Sequence, residues 1–157
     1  MAYDSFPALP CKNCSRPIPL PPAAHPHASQ GSWPRGNVRR NFLCPQCRHI
    51  YEYSAEDVEL VPAEADPRKA GTPYNVVAIR LPCGTPGGCA SLVRIRTIMP
   101  FDIDPSQEAL TLLAASVAHE IHCDGPHILS GPISQRGLAF DAHFDEDWQI
   151  GDVGRVA

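Results

Sequence analysis

The sequence predicts a small, mainly β protein with one helix, held together by bound metal. The chain has 157 residues with 18 prolines and 11 glycines, a composition that disfavours long helices and favours short strands joined by loops. Six of its seven cysteines fall in closely spaced pairs, as metal ligands do. The one predicted helix covers about 105–118, where Pro105, a polar cap at Asp104 or Ser106 and helical apolar spacing coincide.

Several strands are expected around these cysteines. The segment "YNVVAIRL" (74–81) is rich in β-branched residues, and "ASLVRIRTI" (90–98) alternates apolar residues with arginines, as in a strand with one buried face. The Gly- and Pro-rich "PCGTPGGC" between them predicts a β-hairpin. Short strands, "NFL" and "HIYEY", flank the turn at 44–47, and Ser54 with Asp57 indicates either one helical turn or a plain loop.

The predicted domain boundary is "VPAEADPRKAGTP" (61–73), which is rich in Pro, Ala and charge and lacks apolar periodicity. It separates a first segment, 9–60, from a second, 74–135, which contains the helix. Residues 136–157 are an acidic extension, either an added strand or a partly ordered tail.

The first cysteine set is "CKNC" (11–14) and "CPQC" (44–47), with 29 residues between the pairs. Tetrahedral zinc or iron needs four soft donors that converge from two sides, and a C-x2-C turn presents two sulfurs on one face of a tight loop. The spacing therefore predicts a four-thiolate site formed by Cys11, Cys14, Cys44 and Cys47.

The second set is Cys83, Cys89 and Cys123, which need a fourth donor. The turn "CDGPH" can bring Cys123 and His127 onto one ion, so His127 is the favoured ligand, with His119 and His122 as alternatives. Simple buried thiols are the other interpretation. Seven cysteines and one histidine fill two tetrahedral sites, for which zinc is the natural metal, giving two Zn²⁺ per chain.

The expected location of the protein and its charge distribution limit the kinds of partner that it could bind. Residues 1–30 lack a secretory signal, and the longest apolar run, 109–118, is shorter than the roughly 20 residues that span a bilayer, so a cytoplasmic protein without membrane contact is expected. The net charge of −4 argues against non-specific nucleic-acid binding, yet residues 1–53 carry six basic and two acidic residues. The candidate interaction face in this half, beside Tyr51, is Trp33, Arg35, Arg39, Arg40 and Arg48. This face could bind an acidic protein partner or a nucleic-acid strand. Alternatively, the aliphatic parts of the arginine side chains only cover a small core.

Catalytic motifs are not found. "HEIHC" (119–123) places its histidines three residues apart, whereas the metalloprotease pattern H-E-x-x-H needs four. The sequence therefore predicts a non-enzymatic protein.

The knuckles "LPCKNCSRPIPL" and "FLCPQCRHIYEY" resemble those of zinc-ribbon proteins, and residues 82–127 resemble a divergent ribbon with a helix between its knuckles. The resemblance implies two zinc-ribbon-like modules with structural zinc and a bacterial family. Together with the candidate interaction face, it gives the hypothesis of structural zinc ribbons that present a surface for protein interaction. Ribbon knuckles usually carry glycine after the second cysteine, where this chain has Ser15 and Arg48.

The knuckles of the first segment are also similar to those of rubredoxin, which implies an iron electron carrier as one alternative. Between the knuckles, however, Trp33 is the only aromatic residue before Phe42, whereas a rubredoxin-like core needs several. The other alternative is a zinc-ribbon regulator that binds nucleic acid.

Overall fold

The computed structural model describes residues 5–20, 39–62, 64, 74–83, 90–100, 103–133 and 141–144. These residues form a mainly β structure with one α-helix, as the sequence predicts. The strands are β1 (Ser5–Pro10), β2 (Pro17–Pro19), β3 (Arg40–Leu43), β4 (His49–Tyr53), β5 (Glu59–Pro62), β6 (Tyr74–Pro82), β7 (Leu92–Pro100), β8 (Val117–His122), β9 (Ile128–Pro132) and β10 (Asp141–Phe144). The helix α1 spans Pro105–Leu113, and a short 3-10 helix spans Ala55–Asp57.

The described strands form two sheets. A small sheet has the order β2-β1-β5, and a large sheet has the order β10-β6-β7-β3-β4-β8-β9. Neighbouring strands are antiparallel except for β3 with β7 and β4 with β8, which are parallel and pair over two residues each. The hairpin β3–β4 therefore lies between the hairpins β6–β7 and β8–β9.

This topology joins the two predicted segments, because strands from both sides of residues 61–73 share the large sheet. Residues 61 and 62 of the predicted linker belong to β5, residue 64 is exposed, and the rest lie outside the described residues. The boundary itself stays a prediction. In the acidic extension, Asp141–Phe144 adds a strand beside β6, and the remainder of 136–157 lies outside the described residues.

Apolar side chains pack on both faces of the large sheet. One core, here called the helix-side core, contains Val77 and Ile79 of β6 together with Leu112 of α1. The other, the small-sheet core, contains Val76 of β6 and Leu9 of β1. Adjacent residues of β6 enter different cores because successive side chains of a strand point to opposite faces.

The helix ends earlier than the sequence predicts. It begins as expected, with Asp104 accepting a hydrogen bond from the Ser106 N–H at 3.0 Å, but it ends at Leu113 rather than near 118. The Ser116 hydroxyl and N–H both donate to the carbonyl of Leu113, and Val117 pairs with His49 of β4. Sheet pairing thus overrides the local helical pattern at 117 and 118.

The hairpin β6–β7 and the strands on either side of residues 44–47 are confirmed. Ser54 and Asp57 also form the predicted turn, with the Ser54 N–H donating to Asp57 Oδ2 at 2.7 Å. Among the residues that the structure describes, no helix is both long and apolar enough to span a lipid bilayer.

Candidate metal centres

The first candidate centre is the four-cysteine group, Cys11, Cys14, Cys44 and Cys47. Cys11 directly follows β1, and Cys44 directly follows β3, so the two turns approach each other from the small and the large sheet. All four sulfurs lie within 4.8 Å of one another, an arrangement that could hold a metal ion. Across the turns, the sulfurs of Cys11 and Cys47 are 3.5 Å apart and those of Cys14 and Cys44 are 3.8 Å apart.

The two turns have the same backbone geometry. In each, the N–H of the residue after the second cysteine donates to the carbonyl of the first cysteine, from Ser15 to Cys11 at 2.9 Å and from Arg48 to Cys44 at 2.8 Å. Both donors have left-handed backbone, with φ of 66° at Ser15 and 63° at Arg48. The left-handed conformation that glycine usually provides at this position of a ribbon knuckle is therefore adopted here by a serine and an arginine.

Backbone N–H groups point at the sulfur of the first cysteine in each turn. Asn13 and Cys14 donate to Cys11 Sγ at 3.4 and 3.5 Å. Such donors stabilise a thiolate, which is the form of cysteine that binds metal. Burial acts in the opposite direction and raises the pKa of the Cys11 and Cys44 thiols, despite these N–H groups.

Cys47 differs from these two thiols. Burial would raise the pKa of Cys47 as well. Hydrogen bonds from the His49 N–H, the Asn13 side chain and the neighbouring thiols outweigh burial and lower this pKa to about 7. Cys47 therefore ionises more readily near neutral pH than Cys11 or Cys44, and a bound cation would supply the charge that these two buried thiols need to ionise.

Aromatic side chains of β3 and β4 surround the four-cysteine group. Phe42 and Tyr53 are fully buried and meet edge to face, with ring centroids 6.2 Å apart. The Tyr53 hydroxyl accepts a hydrogen bond from the Lys12 N–H at 3.1 Å, and the Lys12 ammonium lies 4.9 Å from the Tyr53 ring centroid. These contacts hold the first knuckle against the large sheet. Phe42 comes from the end of the stretch between the knuckles, and Tyr53 comes from the strand after the second knuckle.

The second candidate centre is formed by Cys83, Cys123 and His127, whose ligand atoms also lie within 4.8 Å of one another. Cys83 follows β6, while Cys123 and His127 bound the turn between β8 and β9, where the Cys123 N–H donates to the His127 carbonyl at 3.0 Å. His127 Nδ1 is buried and has no hydrogen-bond partner among the described residues. The expected fourth ligand, Cys89, lies outside the described residues.

The structure places the other two histidines elsewhere. His122 bonds to the Glu52 carboxylate through Nδ1. His119 Nε2 lies 2.7 Å from His49 Nδ1, and its ring stacks on Tyr51 with centroids 4.6 Å apart. Of the three candidate histidines, His127 is thus the one that joins the Cys83 group.

The turn at 123–127 fits closely against the neighbouring hairpin. The Gly125 N–H donates to Cys123 Sγ at 3.2 Å, and a Cβ at Gly125 would lie 2.6 Å from Ser91 Oγ. The Asp124 N–H donates to the Leu92 carbonyl at 2.8 Å. These contacts bring the turn between β8 and β9 onto the start of β7.

The predicted interaction face is divided in the structure. Arg39 and Arg40 lie at the open end of the β3–β4 hairpin, whereas Arg48 lies at its turn, in the second knuckle. Trp33 and Arg35 lie outside the described residues. Arg39 and Arg40 instead line a cleft with Arg94 and Arg96 of β7, two arginines that the sequence pattern indicated only as the polar face of a strand.

Comparison with known proteins identifies no relative: no protein-family model, curated protein or solved structure matches this chain.

Proposed function

We propose that this protein binds two structural zinc ions and uses the sheet that they stabilise to present a surface to a protein partner. The observation that carries the proposal is the four-cysteine group. A tetrahedral Zn–S₄ site with Zn–S of about 2.3 Å has sulfurs about 3.8 Å apart. The sulfur–sulfur separations of 3.5 and 3.8 Å across the turns are close to that value. Four thiolate donors also match the preference of zinc in structural sites.

The second zinc ion is proposed at Cys83, Cys123 and His127, with Cys89 as the fourth ligand. The buried Nδ1 of His127 supports this assignment, because a buried polar atom without a partner is costly unless a ligand satisfies it. A site with four protein ligands has no open coordination position for a substrate, which favours a structural role over a catalytic one.

The position of the two groups supports the structural role. The four-cysteine group joins the turn after β1 to the β3–β4 hairpin and lies in the small-sheet core. The Cys83 group joins the β6–β7 hairpin to the β8–β9 hairpin and lies in the helix-side core. Each proposed ion would therefore connect elements that are distant in sequence, one on each face of the large sheet.

Metal analysis of untagged protein tests the proposal. We expect two zinc per chain for the wild type, and one each for Cys44→Ser and His127→Ala. His119→Ala, the matched control, retains two. Iron with a visible absorption band would contradict the zinc assignment. Removal of metal by a chelator should abolish the native circular dichroism, and an unchanged spectrum would contradict the structural role.

A further inference from the structure

One residue, His122, connects the β3–β4 hairpin to the second candidate metal centre. It directly precedes Cys123, the member of the Cys83 group that follows β8. Two side chains of the hairpin contact His122, Asn41 from β3 and Glu52 from β4, and these two residues lie opposite each other in the antiparallel pair. We call Asn41 and Glu52 the His122 clamp. The open end of the hairpin thus holds the chain beside a candidate metal ligand.

Asn41 fixes the backbone of His122. Its Nδ2 donates to the carbonyl of His122 at 3.0 Å and to the carbonyl of Arg94 at 2.9 Å. The other end of the same peptide unit, the Cys123 N–H, donates to the His127 carbonyl at 3.0 Å. Because a peptide unit is planar, these bonds fix the orientation of the whole unit that leads into Cys123.

Glu52 fixes the side chain of His122. Its Oε2 accepts a hydrogen bond from His122 Nδ1, and its Oε1 lies 2.8 Å from Arg39 Nε, which holds the carboxylate in place. Only 12% of the Glu52 side chain is exposed, so water competes little for these bonds. A hydrogen bond to an ionised acceptor is also stronger than one between neutral groups. His122 is therefore held through both its backbone and its side chain.

The opposite end of the hairpin carries half of the four-cysteine group. Cys44 comes three residues after Asn41, and Cys47 comes five residues before Glu52. Three residues of strand span about 10 Å, so the clamp and the second knuckle belong to one short, paired element. The first knuckle reaches the clamp as well, because Lys12 Nζ donates to the Glu52 carbonyl at 2.6 Å.

We propose that Asn41 and Glu52 are positioning residues through which the two metal centres bind zinc cooperatively. Zinc at the four-cysteine group fixes the hairpin, and the clamp then holds His122 and Cys123 in place before the second ion binds. Less conformational entropy is lost when the second ion binds to a site that is already ordered, so its affinity rises. By thermodynamic linkage the effect is reciprocal. The inference rests on the proposed function, because it requires metal at both centres.

Shared stability of the fold is the competing explanation for any such coupling. Zinc that stabilises the folded state also favours binding at the other centre, with no part played by the clamp. Substitutions in the clamp separate the two explanations, because they leave every proposed metal ligand in place.

Zinc titration of the reduced apoprotein against a competing chelator, followed by NMR, tests the proposal. The amide of Gly125, which donates to Cys123 Sγ, reports on the Cys83 group, and the amide of Asn13, which donates to Cys11 Sγ, reports on the four-cysteine group. We expect Cys44→Ser to weaken zinc binding at the Cys83 group about fivefold or more. His127→Ala should weaken the four-cysteine group by the same factor. This change is small beside the affinity of a structural zinc site, so each variant still retains its other ion.

The same titration is repeated in clamp variants, each with and without Cys44→Ser. Glu52→Ala and His122→Ala should bind two zinc but reduce the coupling to less than about twofold. Glu52→Gln keeps an oxygen that accepts from His122 Nδ1 and should retain more of the coupling than Glu52→Ala. Glu56→Ala, the matched control, removes an exposed carboxylate from the short 3-10 helix outside both sheets and should couple like the wild type.

Loss of coupling in both clamp variants, with partial rescue by Glu52→Gln, supports the proposal. Independent binding at the two centres of the wild type, or coupling that is unchanged in Glu52→Ala and His122→Ala, would overturn it. Two zinc without coupling contradicts the clamp alone, whereas a wild type that binds fewer than two zinc contradicts the proposed function as well. The His122 side chain is 47% exposed, so His122→Ala remains informative if Glu52→Ala does not fold.

Discussion

Ser15 and Arg48 occupy equivalent positions in the two knuckles of the four-cysteine group, and both have left-handed backbone, with φ of 66° and 63°. Each donates its N–H to the carbonyl of the first cysteine of its own turn. The left-handed region costs an ordinary residue about 1–2 kcal/mol, and glycine adopts it freely. The hydrogen bonds of the knuckle therefore maintain a conformation that neither side chain favours.

Ser15→Gly and Arg48→Gly should each raise the free energy of unfolding by about 1 kcal/mol, because they remove this conformational cost. Denaturant unfolding of the metal-loaded protein measures the change. Ala114→Gly is the matched control, since Ala114 has right-handed backbone with φ of −57°, and it should lower stability. A loss of stability in both knuckle variants would show that the side-chain interactions of Ser15 and Arg48 contribute more to stability than their left-handed backbone costs.

Tyr53→Phe should lower the free energy of unfolding by about 1 kcal/mol, because it removes the hydroxyl that accepts the Lys12 N–H. Thermal unfolding of the metal-loaded protein is the measurement. Tyr51→Phe keeps the ring that stacks on His119 and should change stability by less than about 0.5 kcal/mol. If Tyr53→Phe lowers the free energy of unfolding no more than Tyr51→Phe does, the hydrogen bond from Lys12 to Tyr53 contributes nothing measurable to stability.

Gly125→Ala should lower stability by about 1 kcal/mol or more and weaken metal binding at the Cys83 group, because the added Cβ would lie 2.6 Å from Ser91 Oγ and 3.2 Å from Ser91 Cβ. Ser91→Gly removes both atoms, so the double variant should recover most of the loss. A double-mutant cycle with metal titration measures the coupling. If the two losses simply add, Ser91 is not what excludes a side chain at position 125.

The Arg80 guanidinium, which donates to Asp141 at 3.0 Å, holds the pKa of that carboxyl below its ordinary value. The resulting stability is present above the ordinary aspartate pKa of about 4 and is lost as pH falls through the lowered value. Both side chains are partly exposed, so the effect on stability is small. In Arg80→Gln, the Asp141 pKa measured by NMR titration should rise. The pairing of β10 with β6 should then weaken less steeply as the pH is lowered than it does in the wild type. An unchanged pKa would contradict the pairing, and Arg16→Gln serves as the charge control.

Local features of this protein could be predicted from its sequence. Each knuckle and the hairpin β6–β7 depend on residues close together in the chain, and β-branched content and turn residues indicated them directly. The proximity of His127 to Cys123 followed from a turn of five residues. Where long-range pairing competes with local preference, prediction failed: residues 117 and 118 continue a helical pattern, yet they join β8 because β4 offers a sheet partner.

The sequence by itself determined which cysteines can meet within each turn and that the fold is mainly β with one helix. Only the tertiary structure decided that the β3–β4 hairpin lies between the hairpins of the second segment, since its parallel pairs with β7 and β8 are two residues long and leave no periodic signal. The same insertion brings Arg39 and Arg40 beside Arg94 and Arg96. A pattern of alternating arginines indicates one exposed face, but β7 lies inside the sheet and its residues 95–99 are all buried, so Arg96 is buried at the wall of the cleft whereas Arg94 stays partly exposed.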